Sequence, residues 1–74
     1  MTLREVGITE ADNEVLSGET WDQEIVEIAY VMEGGVKVAE LYLLENGEVV
    51  LSGEEERHWF ETMEEYEWWA AEFQ

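Results

Sequence analysis

The chain has 74 residues, 20 of them acidic against three basic, and a formal charge of -17 at pH 7. Like charges at this density repel one another in any compact state, so the fold gains nothing from the excess, and a domain this short buries only about 60% of its extended surface. Arg4, Lys37 and Arg57 are too few to form a basic patch for nucleic acid or an anionic membrane, and the absence of Cys excludes both a disulfide framework and a thiolate metal site.

Disorder is the usual outcome of high net charge. Here the hydrophobic fraction of 46%, with four Trp, three Tyr and two Phe, favours a single compact acidic domain over positions 1–74. Met1-Thr2-Leu3-Arg4-Glu5 lacks the apolar stretch of a signal peptide, and no run approaches the roughly 20 apolar residues of a membrane span. The expectation is a soluble protein of the cytoplasm.

In chain order, Thr9 with Asp12 three residues on reads as an N-cap, and Ser17-Gly18 as a stop, which predicts a short N-terminal helix over 10–16. Gly34-Gly35 and Asn46-Gly47 read as two-residue hairpin loops. They predict a three-stranded antiparallel meander over 24–33, 36–45 and 48–52. Glu33 then faces Val36, and Glu45 faces Glu48. The register puts Val26, Ile28 and Tyr30 on one face with Ala39, Leu41, Leu43 and Val50. The other face carries Ile25, Val31, Val38, Tyr42, Leu44, Val49 and Leu51, interrupted by Glu27 and Glu40. That face is too apolar for water, so either the N-terminal residues Leu3, Val6, Ile8 and Trp21 cover it or a second subunit does, as a homodimer.

Ser52 with Glu55 three residues on reads as a capping box, and Glu54 to Glu56 suit the positive end of a helix dipole, so a C-terminal helix is predicted over 53–73. Trp59, Met63, Tyr66, Ala70 and Phe73 form its apolar stripe, flanked by Trp69. This stripe is expected to pack across Val26, Ile28, Leu41 and Leu43, giving an α+β fold.

Three constellations bear on function. Opposite the stripe lie Glu54, Glu61, Glu64, Glu65 and Glu72. With Glu67 and the rest, the 20 residues 53–72 hold eight glutamates, about one per 3.8 Å of helix at a rise of about 1.5 Å per residue. A DNA strand carries a phosphate about every 3.4 Å. Trp68 projects from the middle of this face, which is how an interface anchor sits within a polar surround. Glu33, Glu45 and Glu48 add negative charge at the hairpin tips. His58, the only histidine, is expected at an exposed helix start, with no second His or Cys to make a metal site. The Glu54–Glu56 run lacks the loop geometry and carbonyl ligands of a calcium site. No nucleophile–base set or phosphate-binding Gly loop can be assembled, so neither an enzyme nor a cofactor is expected.

The size, the Glu-rich surface and the sheet-plus-helix layout resemble the small acidic inhibitors that phages use against host defence, anti-CRISPR proteins in particular. The resemblance implies a nucleic-acid mimic in the host cytoplasm, with Glu61, Glu64, Glu65, Glu67 and Glu72 as phosphate stand-ins. The implied target is a basic nucleic-acid-binding protein such as a CRISPR effector complex, engaged at its PAM-reading residues or its guide/target channel. Trp68 would fill the place where a base stacks. Two other readings stand beside it. One is a non-mimic interaction module, or an antitoxin-like neutraliser of a basic partner. The other is a halophilic domain, against which 18 Glu but only Asp12 and Asp22 argue.

Overall fold

The computed structural model describes residues 1–9 and 16–72. Its elements run in the order α1 (Gly18–Trp21), β1 (Ile25–Glu33), β2 (Val36–Leu44), β3 (Val49–Gly53), β4 (Arg57–Phe60) and α2 (Met63–Ala71). The strands form one antiparallel sheet of four in the order β1-β2-β3-β4. The fold is α+β, with one strand more than the sequence predicts and a much shorter C-terminal helix. No helix among the described residues is long and apolar enough to cross a membrane.

The first hairpin turns at Gly34-Gly35 as expected. Their φ values of 59° and 83° are those of a primed turn, which an L side chain resists at both positions. Glu33 pairs with Val36. Beyond the tip the predicted register fails at two irregularities, between Val31 and Met32 and between Ile25 and Glu27. The first leaves Val38 unpaired and moves Ile28 from Leu41 to Tyr42, and Tyr30 from Ala39 to Glu40. A one-residue slip exchanges the faces of everything beyond it. Val26, Ile28 and Tyr30 therefore leave the predicted core and are exposed.

The second hairpin also departs from expectation. Its loop is Glu45-Asn46-Gly47, closed by the Leu44 N–H to the Glu48 carbonyl at 2.9 Å and by the Gly47 N–H to the Leu44 carbonyl at 3.0 Å. Gly47, at φ 90°, supplies the left-handed residue that a three-residue loop needs. The Glu48 N–H donates to Asn46 Oδ1 at 2.9 Å, so Asn46 stabilises the loop through its side chain. Glu45 and Glu48 are consequently not paired, and β3 turns over: Tyr42 faces Val50, and Leu41 faces Leu51.

The predicted 53–73 helix begins ten residues too early. Gly53 donates its N–H to the Glu56 carbonyl at 2.7 Å, closing a two-residue turn over Glu54-Glu55, and Arg57–Phe60 return along β3. Ser52 pairs with Arg57 inside the sheet rather than capping a helix. The strand wins because His58, Trp59 and Phe60 favour a pleated surface and because it serves both faces at once. Trp59 packs with Tyr42 and Val50, and Phe60 with Val49 and Leu51. A helix would turn one of the two rings away from its cluster and leave the outer edge of β3 unpaired.

Each face of the sheet has its own core. On one, Tyr42, Leu44 and Val50 pack with Leu3, Ile8 and Trp21, joined by Val6, Leu16, Ile25 and Trp59. The N-terminal segment is pinned there by the Thr2–Glu24 bridge and by the Ile25 N–H to the Met1 carbonyl at 2.6 Å. The chain thus covers Tyr42 and Leu44 itself, while Ile28 and Tyr30, paired with Tyr42 and Glu40 on the same face, stay exposed. On the other face, Leu41, Val49, Leu51 and Phe60 are covered by Met63, Tyr66 and Trp69 of α2, with Val31, Ala39 and Leu43 at the margin. The helix lies over Leu41 and Leu43 as expected, but not over Val26 and Ile28. The helix predicted over 10–16 falls, apart from Leu16, outside the described residues. Ser17-Gly18 starts a helix rather than ending one: Ser17 Oγ accepts the Thr20 N–H at 3.1 Å as the cap of α1.

Candidate functional site

The nine residues of α2 are capped by Thr62, whose Oγ1 accepts the Glu65 N–H at 3.2 Å. The Glu65 carboxylate reaches back to the Glu61 N–H at 3.0 Å, completing a reciprocal cap. Glu64 and Glu65 occupy the first turn, where carboxylates favour the helix dipole. At about 100° per residue, Met63, Tyr66, Trp69 and Ala70 turn to the sheet and are half-buried, while Glu64, Glu65, Glu67, Trp68 and Glu72 are exposed. The adjacent tryptophans part company. Trp69 packs 5.6 Å from the Phe60 ring and 4.8 Å from the His58 ring, whereas Trp68 is 71% exposed.

The structure therefore groups Glu64, Glu65, Glu67, Trp68 and Glu72 on one helix face and separates the other predicted residues from it. Glu61 is exposed in the bend before α2, and Glu54 is in the β3–β4 turn. Glu33 sits at the β1–β2 tip, at the opposite end of the meander from the β2–β3 loop that holds Glu45 and Glu48. The acidic stretch on α2 is about 12 Å long, from Glu64 to Glu72 at about 1.5 Å per residue. Its four carboxylates match about four phosphates of one DNA strand.

Glu48 is committed inward. It accepts from Thr20 Oγ1 of α1 and from the indole N–H of Trp59 on β4, and also from Asn46 Nδ2 at 2.8 Å. It is half-buried and joins three segments of the fold. His58 lies on β4, not at a helix start. It is half-buried against Trp69, with Nε2 3.1 Å from the Glu56 carboxylate.

Arg4, Lys37 and the amino terminus are occupied elsewhere. Arg4 lies 3.7 Å from Asp22 and 5.3 Å over the Trp21 ring. Lys37 donates to Glu40 at 2.9 Å and lies 5.1 Å from the Tyr30 ring centre. Arg57 is half-buried in β4. The amino terminus pairs with Glu24 and Glu5. Among the described residues no ion pair involves Glu64, Glu65, Glu67 or Glu72, so their field is directed outward. Near Lys37, the hydrogen bond from the Tyr42 hydroxyl and then the one from Lys37 hold the Glu40 carboxyl below its usual range, while burial and then Glu40 push the Tyr42 phenol far up.

One surface feature escaped the sequence reading. Ile28, Tyr30 and Met32 on β1, with Val26 at its irregularity and Val36 and Val38 on β2, are large apolar side chains left exposed. The alternation that suggested a core strand is present, but the register breaks that expose it carry no local signal. No group of three or more metal-ligating side chains occurs among the described residues. Comparison with known protein families, curated proteins and solved structures finds no match to this chain.

Proposed function

We propose that this chain is an acidic nucleic-acid mimic that occupies the basic nucleic-acid-binding groove of another protein and blocks access of DNA or RNA. The target best suited to the reading is a CRISPR effector complex, and the role that of a phage anti-CRISPR protein evading host defence in the host cytoplasm. The observation that carries the reading is the outward face of α2, where Glu64, Glu65, Glu67 and Glu72 surround an exposed Trp68 and, among the described residues, have no cation paired to them. The carboxylates take the place of phosphates, and the indole offers an aromatic face where a base would stack. Glu61 and Glu33 extend the negative field beyond the helix, and Glu45 carries it to the far end of the sheet. A second reading, a module that grips a basic partner without mimicking nucleic acid, is favoured by the exposed apolar row on β1.

Salt and competition separate the two. The test is capture of a panel of CRISPR effector complexes by the immobilised protein, with DNA as competitor. A mimic loses about tenfold or more in affinity between about 50 and about 200 mM salt, and DNA displaces it. Glu64→Lys with Glu67→Lys should weaken binding by about tenfold or more through like-charge contact with the groove. Trp68→Ala should cost about 2 kcal/mol of binding and less than about 0.5 kcal/mol of stability. Binding that survives high salt, ignores DNA and is unchanged by the α2 variants would remove the mimic reading.

A further inference from the structure

The exposed side of β1 supports a second binding surface, separate from the acidic face of α2. β1 is an edge strand of the sheet. Among the described residues its outer side is paired only at its start, through the Thr2–Glu24 bridge and the bond from the Ile25 N–H to the Met1 carbonyl. Among the described residues the stretch Val26–Glu33 has no outer neighbour, a ladder about 26 Å long at about 3.3 Å per residue. Natural edges are guarded by charged side chains, above all Lys, by Pro, by bulges, by shortness or by a covering loop; this stretch contains neither Lys nor Pro, its charges are Glu27 and Glu33, and its bulge lies at its start, at Val26.

Its side chains sort by chemistry. Ile28, Tyr30 and Met32 point to one face and are 38%, 61% and 56% exposed. Glu27 and Glu33, with Ala29 and Val31 between them, point to the other, and both glutamates are exposed. We infer that this edge receives an extended segment of a basic protein by strand addition, a segment in which apolar residues alternate with Lys or Arg. Its apolar side chains meet Ile28, Tyr30 and Met32, and its cations meet Glu27 and Glu33. A second copy of this chain fits poorly. It brings a charge of -17 against -17, and antiparallel self-pairing centred on Tyr30 sets Glu27 against its Glu33.

The test uses three peptides: one alternating Lys and Val, one of the same composition with the Lys and Val residues in separate blocks, and one alternating Glu and Val. Affinities are measured together with hydrogen-exchange protection of each backbone amide. The alternating Lys-Val peptide should bind about tenfold tighter than the blocked one and should protect amides within Val26–Glu33. Glu27→Lys with Glu33→Lys should transfer the preference to the Glu-Val peptide. Glu27→Gln with Glu33→Gln, a milder pair, should reduce the advantage of Lys-Val without reversing it. Glu64→Lys with Glu67→Lys should weaken both basic peptides alike and leave their ratio unchanged. Equal binding of the alternating and blocked peptides, or protection confined to α2, would overturn the inference. So would a concentration-dependent dimer whose β1 amides are already protected without peptide.

Discussion

At the scale of single residues, the carboxylates divide into those that hold the fold and those that leave it. Glu48 accepts hydrogen bonds from Thr20, Asn46 and Trp59. Glu48→Ala removes the carboxylate that accepts from the buried Thr20 hydroxyl and the half-buried Trp59 indole, an expected loss of about 2 kcal/mol by urea unfolding. Glu45→Ala, on the exposed side of the same loop, should stay within about 0.5 kcal/mol of wild type. Equal losses would show that Glu48 contributes no more than any surface glutamate. Glu40 gives a pH signature. Its carboxyl pKa is lowered by the Tyr42 hydroxyl and by Lys37, so its contribution is present above the unfolded carboxyl value of about 4.3 and fades as pH falls through the folded value. Lys37 is raised by the same contact. Its contribution is complete below the unfolded value of about 10.4 and disappears as pH rises through the folded one. Tyr42, raised chiefly by burial, weakens the fold over the same alkaline rise. Glu40→Gln should therefore narrow its stability deficit against wild type as pH drops below about 4, read from paired melting curves. A deficit that is constant with pH would show that the Tyr42 and Lys37 contacts do not favour the charged carboxylate.

At the scale of elements, the boundary between β4 and α2 is where the side chains compete most directly. Thr62 is the cap in the structure, and Ser52 is the cap that the local pattern suggests. Thr62→Ala should cost about 1 kcal/mol, whereas Ser52→Ala should leave the helical circular dichroism unchanged. A fall in helicity on Ser52→Ala alone would put the helix start back at 53. Glu65→Lys should also destabilise, because it removes the bond to the Glu61 N–H, so Glu64 and Glu67 are the cleaner pair for charge reversal. These elements show what the sequence could and could not convey. The Gly34-Gly35 turn, the meander and the inward stripe Met63, Tyr66, Trp69 and Ala70 are all local patterns, and each was legible. The Glu54-Glu55 turn was not, because it has no Gly, Asn or Pro and its three consecutive glutamates match the first turn of a helix equally well. The two breaks in the β1–β2 register were also hidden, because no local residue pattern marks them. The exposed Trp68 was legible from helical spacing alone. The inward turn of Glu48 was not, since it depends on Thr20 and Trp59 arriving from other segments.

At the scale of the whole molecule, the same charge opposes folding and favours association with a basic partner, and salt separates the two effects. Repulsion among exposed carboxylates is long-ranged, with a screening length of about 10 Å at 0.1 M and about 3 Å at 1 M ionic strength. Pairs such as Lys37–Glu40 are few and partly exposed, so screening weakens more repulsion than attraction in a chain of charge -17. The melting temperature of the isolated protein should therefore rise between about 20 and about 300 mM sodium chloride. Over the same range, affinity for a basic partner should fall. Two controls isolate the cause. Glu64→Gln with Glu67→Gln should raise the low-salt melting temperature and flatten its salt dependence, because two charges leave the repelling set without disturbing the Thr62 cap. Sodium chloride and sodium fluoride at equal ionic strength should act alike, since screening depends on charge and concentration rather than ion identity. The rise should level off by a few tenths molar, once the screening length falls below the spacing of neighbouring carboxylates. A melting temperature that instead climbs steeply into the molar range would mark a fold stabilised by concentrated salt, as in a halophile. One that does not respond would mean that self-repulsion is not what limits this domain.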